Sequence, residues 1–207
     1  MASLDLNRRR FLGTAAVLPL RAVVASQSAV AQDASAHAGH NHGDNIVVGE
    51  VDYVKNGFDP HAILTNWDIG TVSTDASGRR ICEWTLTAVD HEFEVAPGVT
   101  FAGWSYNGRI QGPTLRCTEG ERLRIRFVNG STHLHSMHFH GIHHARMDGV
   151  PGAGMVEPGG EFVYEFDAKL FGCHHYHCHA IPLKRHIHKG LYGAFIIDPD
   201  PALHPTL

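Results

Sequence analysis

The chain has 207 residues, 43% of them hydrophobic, which suits one domain with a buried core and argues against wholesale disorder. Its formal net charge is −4 with histidine neutral, and it lacks the basic stripe that nucleic-acid binding needs. Histidine is the anomaly: 18 residues against 17 lysines and arginines, twelve of them in two windows, 133–144 and 174–188. Scattered core or surface histidines do not cluster in this way, and histidine is the commonest metal ligand, so composition points to metal.

At the N-terminus, Arg8-Arg9-Arg10-Phe11-Leu12-Gly13 resembles a twin-arginine export signal. An apolar stretch from Phe11 to Val30 follows, interrupted by Arg21, too short and too charged to span a bilayer in the mature chain. Small residues at Ala29-Val30-Ala31 place cleavage after Ala31, so residues 1–31 read as a signal peptide. The resemblance implies export of a folded protein to the periplasm or beyond. Residues 32–45 are mostly Ala, Ser, Gly, Asp and His without apolar periodicity, a flexible linker in which His37, His40 and His42 read as solvated.

Residues 46–207 form the domain, where the signals are strands and turns. Strands are expected over Ile81–Val89, around Phe101–Tyr106, and over Leu191–Ile197. Arg122–Phe127 alternates cleanly, putting Leu123, Ile125 and Phe127 on one face, and Glu161–Phe166 does much the same. Asn107-Gly108, Gly112-Pro113, Glu119-Gly120, Asn129-Gly130, Asp148-Gly149 and Pro158-Gly159-Gly160 punctuate them. Short strands, regular turns and no long amphipathic helix predict an all-β Greek-key sandwich or barrel.

The first histidine window contains His135-Ser136-Met137-His138-Phe139-His140-Gly141. On a strand, His138 and His140 share a face, while Phe139 and His135 take the other. His177-Cys178-His179 repeats the logic, with the two histidines on one side and the cysteine opposite. Cys178 and His135 therefore meet on one face, and His138, His140, His177 and His179 on the other. A thiolate with imidazoles is the soft set of blue-copper sites, whereas four imidazoles suit a histidine-rich copper cluster. A structural zinc site is the rival, but it does not explain the alternation of faces.

These motifs resemble those of the multicopper oxidases. The resemblance spans about residues 95–200 and includes Tyr106-Asn107-Gly108, Gly112-Pro113-Thr114-Leu115-Arg116, Glu119-Gly120-Glu121, Met147-Asp148-Gly149-Val150-Pro151, Glu157-Pro158-Gly159 and Gly190-Leu191-Tyr192-Gly193-Ala194. It implies a cupredoxin-like fold, with His135, Cys178 and His186 holding a type 1 copper. His138 would serve the type 2 copper, and His140, His177 and His179 the type 3 pair. Leu191 falls in the axial place as a non-coordinating residue, which implies a raised potential. The second type 1 histidine comes later than the family pattern places it, and His188 rivals His186.

The family builds its cluster from eight histidines, of which this chain supplies four, so the resemblance implies self-association through the histidine face about a twofold axis. The expected activity takes electrons singly from an unidentified donor and reduces O₂ to water at the shared cluster. Rival readings are a non-enzymatic blue-copper carrier and a copper nitrite reductase, in which an Asp stands where this chain has His138. Asp148 reads either as a turn former or as an acid beside the cluster. Cys82, Cys117 and Cys173 leave room for one disulfide, with the pair unassigned. His133, His143, His144, His174 and His175 read as exposed or supporting residues.

Overall fold

The computed structural model describes residues 49–206; the signal and linker expected over 1–45 lie outside the described residues. Two short helices, α1 (Tyr53–Asn56) and α2 (Pro60–Ile63), precede the strands β1 (Trp67–Asp68), β2 (Thr71–Thr74), β3 (Arg80–Ala96) and β4 (Val99–Tyr106). Then come β5 (Thr114–Thr118), β6 (Arg122–Asn129), β7 (His138–Phe139), β8 (Glu161–Asp167) and β9 (Gly172–His177). Helix α3 (Leu183–Lys189) and strand β10 (Tyr192–Asp198) complete the chain.

The strands form two sheets, in the orders β1-β5-β10-β9-β7 and β2-β3-β6-β8, with β4 paired to β3. Alternation builds the core between them. On β6, Leu123, Ile125 and Phe127 are fully buried, while Arg124 reaches outward to Glu83 at 2.8 Å and to Glu165 at 3.3 Å. Tyr164 and Phe166 of β8 point inward beside them, and Phe139, Tyr176 and Phe195 fill the opposite wall. Gly193 lies opposite Tyr176 in the β9–β10 ladder, where a Cβ would stand 2.3 Å from the phenol ring. The Tyr176 hydroxyl then reaches across to donate to the Pro113 carbonyl at 2.6 Å.

Three expectations change. The strand expected over Ile81–Val89 continues to Ala96 and turns into β4 as a hairpin, with a bulge between Glu94 and Ala96. The strand expected under the first histidine window shrinks to His138–Phe139. His135 instead makes an isolated bridge with Val156, exchanging hydrogen bonds of 3.2 and 2.8 Å, and this preserves the alternation of faces. The segment after the second window, where no regular element was expected before Leu191, contains α3, a helix that charged and histidine residues conceal because they form no apolar stripe. The four cysteines are free: Cys82, buried, donates to Glu121 at 3.0 Å, Cys117 is buried and Cys173 is exposed.

Candidate metal centre

His135, Cys178 and His186 converge inside the sandwich, 0%, 0% and 4% exposed. The Cys178 sulfur lies 3.3 Å from His186 Nδ1 and 3.8 Å from His135 Nδ1, and the two Nδ1 atoms are 3.1 Å apart. Hydrogen bonding fixes the His135 tautomer. The Ser131 hydroxyl donates to Asp90 at 2.6 Å, so its oxygen is free to accept from His135 Nε2 at 2.9 Å. That puts the ring proton on Nε2 and leaves Nδ1 bare toward the sulfur.

The backbone here is pinned from both sides: Tyr106 donates to the Ser136 carbonyl at 2.7 Å, and Met137 N–H donates to the Tyr164 hydroxyl at 2.8 Å. Trp104 packs against both imidazoles, its ring centroid 5.1 Å from His135 and 4.8 Å from His186. On helix α3 the two rival histidines face different ways. His186 faces inward, and His188, about 200° further round the helix, is exposed. Leu191 is fully buried, and its backbone joins the two sides of the centre, donating to His186 O at 3.2 Å and accepting from Cys178 N at 3.0 Å.

On the other face, His138 pairs with His177 across the β7–β9 ladder. Neighbouring rings among His138, His140, His177 and His179 lie 4.5 to 5.8 Å apart. A carbonyl only accepts, so each ring nitrogen that meets one carries the proton. The Asp148 carbonyl takes His138 Nδ1 at 3.2 Å and His179 Nδ1 at 2.7 Å, and the Cys178 carbonyl takes His177 Nδ1 at 2.9 Å. Nε2 of all three is thereby left bare. His177 Nε2 already stands 2.8 Å from His140 Nε2.

Asp148 belongs to this face as well as to its turn. Its carboxylate is 3.1 Å from His138 Nδ1 and 3.5 Å from His179 Nδ1. The turn fits so closely because residue 149 is glycine, at φ +80°, where a Cβ would stand 2.6 Å from Met137 O and 3.1 Å from His179 Cβ. The sequence left His143 as either exposed or supporting, and the structure makes it a partner of His138. Its side chain is only 7% exposed, its Nδ1 donates to the His144 carbonyl at 2.9 Å, and its Nε2 lies 3.1 Å from His138 Nδ1. It sits on an irregular turn where periodicity says nothing, and membership of the histidine window was its one signal. His133 stacks on Trp104, while His144 and His175 are exposed.

Burial favours the neutral form of His135, His138, His140, His177 and His186. His135 is pushed down to about 3, with the His186 ring adding to the effect, and His138 and His186 to about 4. His140 and His177 are lowered too, again chiefly by burial. Burial raises the Cys178 thiol, so a metal must displace its proton. With ring nitrogens facing one another at 2.8 and 3.1 Å, a proton or a cation must lie between the members of each pair. A thiolate with imidazoles on one face, and imidazoles alone on the other, fits copper.

A family model described as multicopper oxidase matches residues 88–202. The chain belongs to the multicopper oxidase family. A solved structure described as a multicopper oxidase is 56% identical, with a TM-score of 0.70, over 72% of this chain and 53% of that one. The copper nitrite reductase of Nitrosomonas europaea is 33% identical at a TM-score of 0.53, over 59% of this chain and 43% of that one. Copper resistance protein A of Escherichia coli is 40% identical over 46% of this chain. The chain spans 16% of that relative's length and 31% of a Neisseria meningitidis nitrite reductase. The multicopper oxidase likeness bears out the all-β, cupredoxin-like fold expected of the sequence.

Proposed function

We propose that the chain is a copper-dependent oxidoreductase that oxidises a one-electron donor and reduces O₂ at a cluster shared between chains. His135, Cys178 and His186 hold a type 1 copper, with Leu191 as the non-coordinating axial neighbour. His138 serves a type 2 copper, and His140, His177 and His179 a type 3 pair. Bound there, copper supplies one-electron acceptance on the thiolate side and O₂ binding on the histidine side. Four donors give one electron each, and with four protons one O₂ becomes two waters.

The supporting observation is that Cys178 lies buried between His135 and His186 while its covalent neighbours His177 and His179 turn to the opposite face. One peptide segment therefore links donor side and oxygen side. Asp148, beside His138 and His179, is placed to hold or pass protons at its carboxylate. A second copy about a twofold axis completes the eight histidines. The reading extends to location: twin-arginine export to the periplasm, tested by retention of an Arg8→Lys, Arg9→Lys variant in the cytosol.

Copper content, optical and EPR spectra, and size measured on one sample test the proposal. Two type 1 coppers and one three-copper cluster predict about five coppers per two chains, with a blue thiolate band and a near-ultraviolet shoulder. One copper per chain with the blue band alone would instead describe an electron carrier. The likeness to copper nitrite reductases supports a second reading, with a single copper between subunits. Nitrite consumption without O₂ uptake would favour it.

A further inference from the structure

We propose that Cys82 and Cys117 are an oxidisable pair, forming a disulfide that staples the two sheets together at the end of the sandwich away from the metal centre. Cys82 stands on β3 in one sheet and Cys117 on β5 in the other, 1% and 5% exposed. Packing across the sandwich brings them to the same level. Trp84, two residues beyond Cys82 on the same face, meets Phe195 edge-on with ring centroids 6.1 Å apart. Phe195 is paired with Leu115 in the β5–β10 ladder, and Ile197 with Cys117. One layer along from Trp84 and Phe195, Cys82 and Cys117 line the same small cavity of about 150 Å³.

One carboxylate ties the two together. Glu121 Oε2 accepts from the Cys82 thiol at 3.0 Å and from the Thr118 N–H at 2.9 Å, and Thr118 directly follows Cys117. Its other oxygen takes the Arg80 guanidinium. Burial raises both thiols, Cys82 to about 12, and the nearness of Cys82 raises Cys117 further. Neither thiol is a nucleophile at rest, so oxidation waits on Glu121 taking the Cys82 proton. The other cysteines do not compete. Cys173 is exposed on β9, and Cys178 lies between His135 and His186.

The oxidant is a low-molecular-weight disulfide. The Cys82 sulfur attacks it while the thiol proton passes to Glu121; the small S–S bond breaks, a mixed disulfide forms, and one small thiolate leaves and takes that proton. Cys117 then displaces the second small thiol, which carries off the Cys117 proton. In sum, two protein S–H bonds give one S–S bond, and the electron pair and both protons end on two small thiols. The link closes the loop from β3 to β5 and so restrains the unfolded chain. It also takes two soft donors out of reach of copper, leaving Cys178 as the one buried thiol. Ile197, beside Cys117, lies six residues beyond Leu191, about 20 Å at strand spacing, so staple and metal centre are far apart.

The test takes the full chain, reduced with a phosphine, freed of reductant, loaded with copper and incubated with bis(2-hydroxyethyl) disulfide. After acid quench and alkylation in denaturant, peptide mass mapping should find Cys82 joined to Cys117, at least about tenfold above any other pairing. A sample without copper should give the same link, since the pairing does not rest on the function proposed above. The linked chain should show a higher urea midpoint than the reduced chain, and added phosphine should abolish the difference. Cys82→Ser and Cys117→Ser should each lose both the link and the redox dependence of the midpoint. Where a variant folds poorly, the map of the parent chain decides. Full alkylation of both cysteines after oxidation overturns the pair, as do mixed disulfides that never resolve, or a link from either residue to Cys173. A midpoint that the link leaves unchanged or lowers overturns the staple.

Discussion

A hydrogen bond on the far side of the ring sets what His135, His138, His177 and His179 present inward. Asp90 and Ser131 set His135, and a single carbonyl at Asp148 sets both His138 and His179. Ser131→Ala leaves the buried His135 Nε2–H without an acceptor. It should weaken copper binding by about tenfold or more and broaden the EPR signal of the thiolate site, with Asp90→Asn acting in the same direction. His186→Ala should abolish the thiolate absorption, and His188→Ala should keep it. For the metal-free chain, His135, His138 and His186 titrate lower when folded than their ordinary 6.5, so the unfolded chain binds more protons below that value. The contribution of these three histidines to stability should therefore be level above about pH 6.5, fall as pH drops toward about 4, and be spent near 3, where the depressed carboxylates Asp90 and Glu121 add a further acid loss. Urea melts at stepped pH measure this, and copper should oppose the fall. Residue spacing alone made the ligand faces legible, because alternation needs only two or three residues of extended chain. Tautomers and the inward turn of His143 were not legible, since both depend on carbonyls and turns distant in sequence.

Elements carry the same contrast. Strands β6 and β8 could be read because each has one wet and one dry face, and Leu123, Ile125 and Phe127 occupy the dry one. Strand β7 was over-read, since histidines spaced for a strand are held by one bridge at His135 and two residues of ladder. Helix α3 was missed because its sequence serves ligand and surface roles rather than an apolar stripe. Two glycines hold the histidine elements in place by the room they leave. Gly193→Ala would press on Tyr176 and Gly149→Ala on the Met137 carbonyl, each costing about 1–3 kcal/mol. Thermal melts should rank both well below the parent chain. Gly149→Ala should in addition lower copper affinity, because the Asp148 carbonyl would shift away from two rings, whereas Gly193→Ala should leave it unchanged.

At the scale of the whole molecule, the described chain presents four imidazoles on one face, and that face looks outward at His140. If copper joins this face to its counterpart on a second copy, a chelator should convert the assembly to monomers on gel filtration, and copper should restore it. An His140→Ala, His177→Ala variant should remain monomeric while keeping the blue band. The chain is similar to about half of a solved multicopper oxidase. Helix α3 has a wider consequence. Its seven residues carry both the buried His186 and the exposed Lys184 and Arg185, whereas the four-histidine face is built around β7, β9 and the Asp148 turn. If the thiolate centre accepts electrons as proposed, changes confined to this short helix would retune electron entry while leaving the four-histidine face untouched, so the two halves of the chemistry would be free to vary independently.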